Sequence, residues 1–199
     1  MFSKTKINFL IIFLIFFVHI DNSISIEPNI FVQSTVNRAS TILGGDLGKE
    51  QKIEELKQIA KETVDIRGIG FYTLGKHRKS INDQQKKQYT ELFEDYFLKS
   101  FSSRLAEYTN PEIEVYDKKV LNKNYTIVNS LLVGTSERPE VKIDWRVYTK
   151  NPDNPLIRDL IIEGLSLART QKEEFSSILN SNDGDIEALF KTLEEFSNN

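Results

Sequence analysis

The sequence predicts an α+β protein, with helices packed over an antiparallel four-stranded sheet. Three observations predict it. Val141, Ile143, Trp145 and Val147 alternate with Lys142, Asp144, Arg146 and Tyr148, the period of a strand with one apolar face. Four strand-like runs follow one another between Glu112 and Leu167 with only short polar turns between them, and parallel crossovers need about a dozen residues or more, so the strands form an antiparallel meander. On either side of this block apolar residues recur at three- and four-residue steps, the spacing of amphipathic helices.

The chain opens with Lys4 and Lys6, an apolar run from Phe9 to Val18, and small residues at Ser23 and Ser25, the pattern of a secretory signal peptide over residues 1–25. A bilayer span needs about 20 apolar residues, and this run is closer to about twelve. Removing the leader leaves one expected domain, residues 26–199, with 24 basic and 28 acidic side chains and a net charge of −4. A chain of that length buries about two thirds of the surface it exposes when unfolded, enough for one core. Mild acidity argues against a nucleic-acid partner, since neutralising phosphates needs clustered Lys and Arg. There are no cysteines, which removes disulfides, thiolate chemistry and zinc ribbons, and His77 is the only histidine after the leader.

Taken in order, residues 28–44 place Val32, Val36, Ala39 and Leu43 on one stripe before Gly44 and Gly45, and residues 49–64 repeat it with Ile53, Leu56, Ala60 and Val64. Val64 to Ser80 carries Ile66, Ile69, Phe71 and Leu74, with Gly75 as C-cap. Gly68 and Gly70 do not make a phosphate loop, because no strand precedes them and the third glycine of the fingerprint is absent; they read as room for a closely packed helix. Asn82 and Gln85 form a capping box that opens the longest helix, to about Tyr108. Its stripe of Tyr89, Leu92, Phe93, Tyr96, Phe97, Phe101, Leu105 and Tyr108 is either ordinary core or a set of rings that props helix and sheet apart.

The strands are expected at Glu112–Leu121, Tyr125–Thr135, Val141–Thr149 and Leu156–Leu167, with Gly164 as the exit from the last. The last two form a long hairpin around the turn Asn151-Pro152-Asp153-Asn154-Pro155. Helix returns at Thr170–Asn180 and again from Asp185, hinged at Asn182-Asp183-Gly184.

Several pieces now stand in a distinctive order: Val64-Asp65-Ile66 leading to Leu74-Gly75-Lys76, Gln85 with Phe93 and Phe97, Arg158-Asp159-Leu160-Ile161-Ile162-Glu163-Gly164-Leu165-Ser166-Leu167, then Glu174-Phe175 and the Gly184 turn. Over nearly the whole mature chain this resembles the MlaC family, the toluene-tolerance periplasmic phospholipid-binding proteins of an ABC-type lipid transport system. The resemblance implies a curved antiparallel sheet wrapped by helices around an apolar cavity for acyl chains, with the headgroup near solvent. It implies a periplasmic carrier without catalysis or cofactor. Such a carrier shuttles phospholipid between an outer-membrane lipoprotein complex and an inner-membrane complex of MCE-domain protein, permease and ATPase, and so maintains outer-membrane lipid asymmetry.

The expected cavity lining is Val141, Ile143, Trp145 and Val147, with Leu131 and Val133 from the neighbouring strand, Leu160 and Ile162 from the last, and Phe93, Phe97 and Phe101 from the long helix. A packed core is the other reading of the same residues. Two further functions would also use an apolar hollow: a holdase chaperone, and a small-molecule enzyme on a cone-shaped sheet in which Asp144, Asp159, Glu163 or Tyr148 acts. The enzyme fits less well. Asp144 and Glu163 fall on the polar side, Ser166 has no Gly-x-Ser-x-Gly context, and His77 sits among Lys76, Arg78 and Lys79. That basic cluster, with Lys86 and Lys87, is either solvated surface or a contact for partner proteins or anionic headgroups.

Overall fold

The computed structural model describes residues 25–136 and 138–198. The expected leader lies outside the described residues, apart from Ser25. Helices α1 (Pro28–Gly44), α2 (Lys49–Thr63) and α3 (Ile66–Thr73) lead through a 3₁₀ turn (Gly75–Lys79) to α4 (Asp83–Leu105). Strands β1 (Ile113–Asn122), β2 (Tyr125–Leu132), β3 (Val141–Tyr148), β4 (Leu156–Ile162) and β5 (Leu165–Ser166) then lie side by side in chain order, all antiparallel, before α5 (Leu167–Ser181) and α6 (Ile186–Asn198).

The boundaries follow from local chemistry. The Asn82 side chain accepts from the Gln85 backbone N–H at 2.9 Å while Gln85 accepts from the Asn82 N–H at 3.1 Å, so both donors that α4 leaves orphaned here are satisfied. Asp65 caps α3 by accepting from the Gly68 N–H at 2.8 Å. After Leu105 the helix gives way to a turn, and Asn110 takes φ 51°, which stops it three residues short of the expected Tyr108. The expected single strand Leu156–Leu167 is in fact two. Glu163 and Gly164 adopt φ of 48° and 83°, left-handed angles that no strand contains, and Leu165–Ser166 folds back on Ile161–Ile162 as a fifth strand.

Helices lie over one face of the sheet and share a single apolar core with it. Tyr89 and Phe93 of α4 are 1% and 2% exposed, and their rings stack 5.7 Å apart. Each such ring removed from water is worth about 1.5–3 kcal/mol. Gly70 lets α3 approach: a Cβ there would stand 2.8 Å from Phe93 Cδ1, which is the helix-on-helix role expected of it. Both sheet edges are covered in part, which blunts unpaired backbone. The Gln33 amide of α1 accepts from Val115 N–H and donates to the Ile113 carbonyl, and Val64-Asp65 bridges to Ile157 on the far side.

Candidate functional site: the open end of the inner sheet face

Strand register decides which side chains meet the helices. Val128 pairs with Trp145 and Trp145 with Leu160; Ser130 pairs with Ile143 and Ile143 with Ile162. Because alternate residues share a face, the inner face holds Ile113 and Val115, then Val128, Ser130 and Leu132, then Val141, Ile143, Trp145 and Val147, and finally Ile157, Leu160 and Ile162.

Burial along this face is graded. At the Tyr125–Tyr148 end, Thr126, Val128, Val147 and Ile157 are at most 4% exposed. At the opposite end Ile113, Val115, Leu132, Val141, Ile143, Leu160 and Ile162 are only partly buried although all face the helices. On the aromatic stripe of α4, Tyr89 and Phe93 are sealed whereas Phe97 and Phe101 are partly buried and stacked 5.6 Å apart, while Leu98 and Ser102 on another face of the same turns are buried. The helices that approach the strands closely are α1, α3 and α5, whereas α4 packs on α2, α3 and α6. A groove of about 670 Å³ between α1 and β1 meets the inner face at Ile113 and Val115.

Trp145 lies where the sealed and open ends join, 8% exposed. Its indole Nε1–H donates to Ser130 Oγ at 2.8 Å, and the Ser130 hydroxyl donates on to the Ile143 carbonyl at 2.9 Å, so a buried donor is satisfied without water. This pair corrects the expected lining. Leu131 pairs with Lys142 and lies on the outer face, and Val133, two residues further along the chain, follows Leu131 rather than Trp145. In Leu131-Leu132-Val133 every residue is apolar, so alternation alone gave no parity. The register places Ser130 and Leu132 inward with Thr126 and Val128, where the Ser130 hydroxyl accepts from the indole. Of the other expected residues, Val141, Ile143, Leu160 and Ile162 lie at the open end of the sheet and Phe97 and Phe101 are partly buried on α4, while Phe93 and Val147 are sealed. Ile113, Val115 and Leu132 were missed; the first two alternate correctly in sequence, but their strand soon turns polar, which hid their face.

The polar residues considered for catalysis are engaged in fastening the fold. Asp159 Oδ2 accepts from Ser166 Oγ–H at 2.6 Å and Oδ1 from the Ala168 N–H at 3.0 Å, tying β4 to the start of α5, with Arg146 at 3.7 Å. Asp144 accepts from the Asn129 amide at 2.7 Å on the outer face, and Glu163 accepts from the Lys142 N–H at 2.6 Å. Tyr148 stacks under Arg158, whose guanidinium carbon is 3.9 Å from the ring centre. Arg158 is the extra residue of a bulge in β4; it pairs with Asp65 at 2.5 Å and donates to Tyr125 Oη at 2.7 Å. Burial works against its charge, yet Asp65 and Tyr125 outweigh that and hold its pKa above the ordinary guanidinium value. Tyr89 is pushed upward by burial despite a 2.8 Å hydrogen bond with Thr73. Among the described residues no group of three or more His, Asp or Glu side chains is placed to hold a metal ion.

Comparison with known proteins supplies three findings. The family model described as MlaC protein matches residues 33–195. No curated protein matches the sequence. Among solved structures, the phospholipid-binding protein from Ralstonia solanacearum, determined in complex with a phospholipid, is similar with a TM-score of 0.72 at 20% identity, covering 86% of this chain and 97% of its own. At that identity the likeness is one of fold.

Proposed function

This chain belongs to the MlaC family, and on that footing we propose that it is a phospholipid carrier whose acyl-chain site is the open end of the inner sheet face. One observation carries the reading: Phe97 and Phe101 of α4 and Ile143 and Leu160 of the inner sheet face pack against the core yet remain partly exposed, as residues at the mouth of an apolar cavity do. The similar fold of a protein described as phospholipid-binding supports the same ligand class.

Generic oily walls suffice for such a task. At about 0.8 kcal/mol per CH₂, two chains of roughly sixteen carbons amount to more than about 20 kcal/mol against water, beyond the ceiling for non-covalent affinity. Lipid transfers from bilayer to cavity, however, so the walls need only match the bilayer, and no polar constellation is required at the chains. The proposed chain wall is Phe97, Phe101, Ile113, Val115, Leu132, Val141, Ile143, Leu160 and Ile162, and the headgroup sits near solvent. The reading carries no catalytic step. It places the carrier in a periplasm, moving lipid between an outer-membrane lipoprotein complex and an inner-membrane complex of MCE-domain protein, permease and ATPase. That location rests on family membership and on the leader read from the sequence; among the described residues no helix is long and apolar enough to cross a membrane.

Solvent extraction of the purified protein, followed by mass spectrometry of the extract, tests the proposal. Phospholipid at about one molecule per chain is expected, with Ile143→Glu folded but empty. Protein purified free of lipid that also fails to take phospholipid from vesicles refutes it, and bound polypeptide in its place identifies a chaperone.

A further inference from the structure

The surface where α3, the 3₁₀ turn and α5 meet carries six cations: Arg67, Lys76, Arg78, Lys79, Arg169 and Lys172. Among the described residues none of them makes an ion pair, although nine other basic residues do. Their elements are in contact. Lys172 Nζ stands 5.2 Å over the Tyr72 ring, and a Cβ on Gly75 would meet Lys172 Cε at 3.1 Å. Arg67 stacks on Phe71 at 5.5 Å. Between Tyr72 and α5 runs a groove of about 570 Å³, bordered by Arg169, Lys172, Ser176, Ser177 and a single carboxylate, Glu173. Tyr72 is 43% exposed at its wall.

On a chain whose residues 26–199 carry a net charge of −4, Arg169 and Lys172 on the groove, with the basic run of the 3₁₀ turn that Lys172 approaches, make a local field of opposite sign, and such fields select complementary partners. Lys86 and Lys87, grouped with this cluster in the sequence, do not belong to it: Lys86 pairs with Asp83 at 2.8 Å and Lys87 with Glu91 at 4.0 Å. We infer that the groove between Tyr72 and α5 is a docking site for an acidic, extended protein segment, its carboxylates meeting Arg169, Lys172 and the lysines of the 3₁₀ turn, with Ser176 and Ser177 bonding its backbone. A protein segment fits better than a bilayer because the surface is concave and hydroxyl-lined and presents one large ring instead of an inserting apolar edge. The inference rests on the carrier reading, for which such a segment belongs to a complex that gives or receives lipid.

Fluorescence anisotropy of a fluorescein-labelled peptide of alternating glutamate and serine, titrated with the full folded protein, tests it. Binding that weakens with salt is expected. Arg169→Glu with Lys172→Glu lowers affinity on the order of tenfold or more, the effect of reversing two exposed charges, while Lys86→Glu with Lys87→Glu leaves it unchanged. Equal losses in both double variants, or no binding by the unaltered protein, overturn the inference. Co-sedimentation with phosphatidylglycerol vesicles that needs Arg169 and Lys172, without peptide binding, also overturns it and assigns the groove to membranes. Phospholipid extracted from the Arg169/Lys172 variant is expected at the unaltered level, so failure of docking and failure of the carrier reading are separated.

Discussion

Truncating two phenylalanines of the same helix, Phe93 and Phe101, distinguishes a cavity from a continuous core. Phe93 is 2% exposed and meets four rings: Tyr89 at 5.7 Å and Tyr96, Phe97 and Phe175 each at 6.2 Å. Phe93→Ala in this setting costs about 3–5 kcal/mol, transfer and cavity terms together. At roughly 2–4 °C per kcal/mol for a domain of this length, the melting temperature falls by about 6–20 °C. Phe101 is partly buried and stacks on one ring, Phe97. With about two thirds or more of its area withdrawn from water, Phe101→Ala costs roughly 1–2.5 kcal/mol, or about 2–10 °C, in protein stripped of lipid. Its main effect is on cargo: phospholipid extracted per chain drops, and the stabilisation gained on reloading lipid shrinks, since a ligand stabilises only through its differential binding to the folded state. Calorimetry of delipidated and reloaded samples, beside extraction, reads both quantities. If Phe101→Ala destabilises the lipid-free protein as much as Phe93→Ala and leaves lipid content alone, the open end is solid core and the argument from graded burial fails.

Arg158→Leu leaves the Asp65 carboxylate, 18% exposed, without its partner and is expected to cost about 3 kcal/mol; Arg158→Lys recovers little, because a lysine neither forks onto Asp65 nor stacks on Tyr148, and urea midpoints check both. Gly70→Val drives a side chain into Phe93 and separates α3 from α4, with an expected loss of about 1–3 kcal/mol in thermal unfolding. Burial raises the Tyr89 phenol above its unfolded value of 10.0. The unfolded state thus releases this proton first, so the associated stability is complete below about pH 10 and is lost as pH rises beyond it. Alkaline unfolding followed by tyrosinate absorbance detects that loss, and Tyr89→Phe makes the alkaline limb shallower; an identical limb excludes Tyr89 as its source.

Much of the fold was legible from local chemistry. The cap at Asn82, the alternation from Val141 to Val147 and the helical stripes are statements about neighbours in sequence, and each set an element within a few residues. Gly164 marked an exit from the last strand, but the fold-back was not legible, because only pairing of Leu165–Ser166 with Ile161–Ile162 makes a fifth strand there. The site divides the same way. Family order and the aromatic stripe of α4 marked an apolar interior, but not which of its residues meet solvent. Parity in Leu131-Leu132-Val133 is visible only in the pairing of β2 with β3, which sets Ser130 beside Trp145, fifteen residues away in sequence. Likewise Phe93 and Phe101 are the same residue on the same stripe, and their difference arises from what α3, α5 and the sheet place opposite each. Periodicity along a chain determines which face turns inward; how tightly that face is filled depends on the distance between layers, which belongs to the assembled tertiary structure alone.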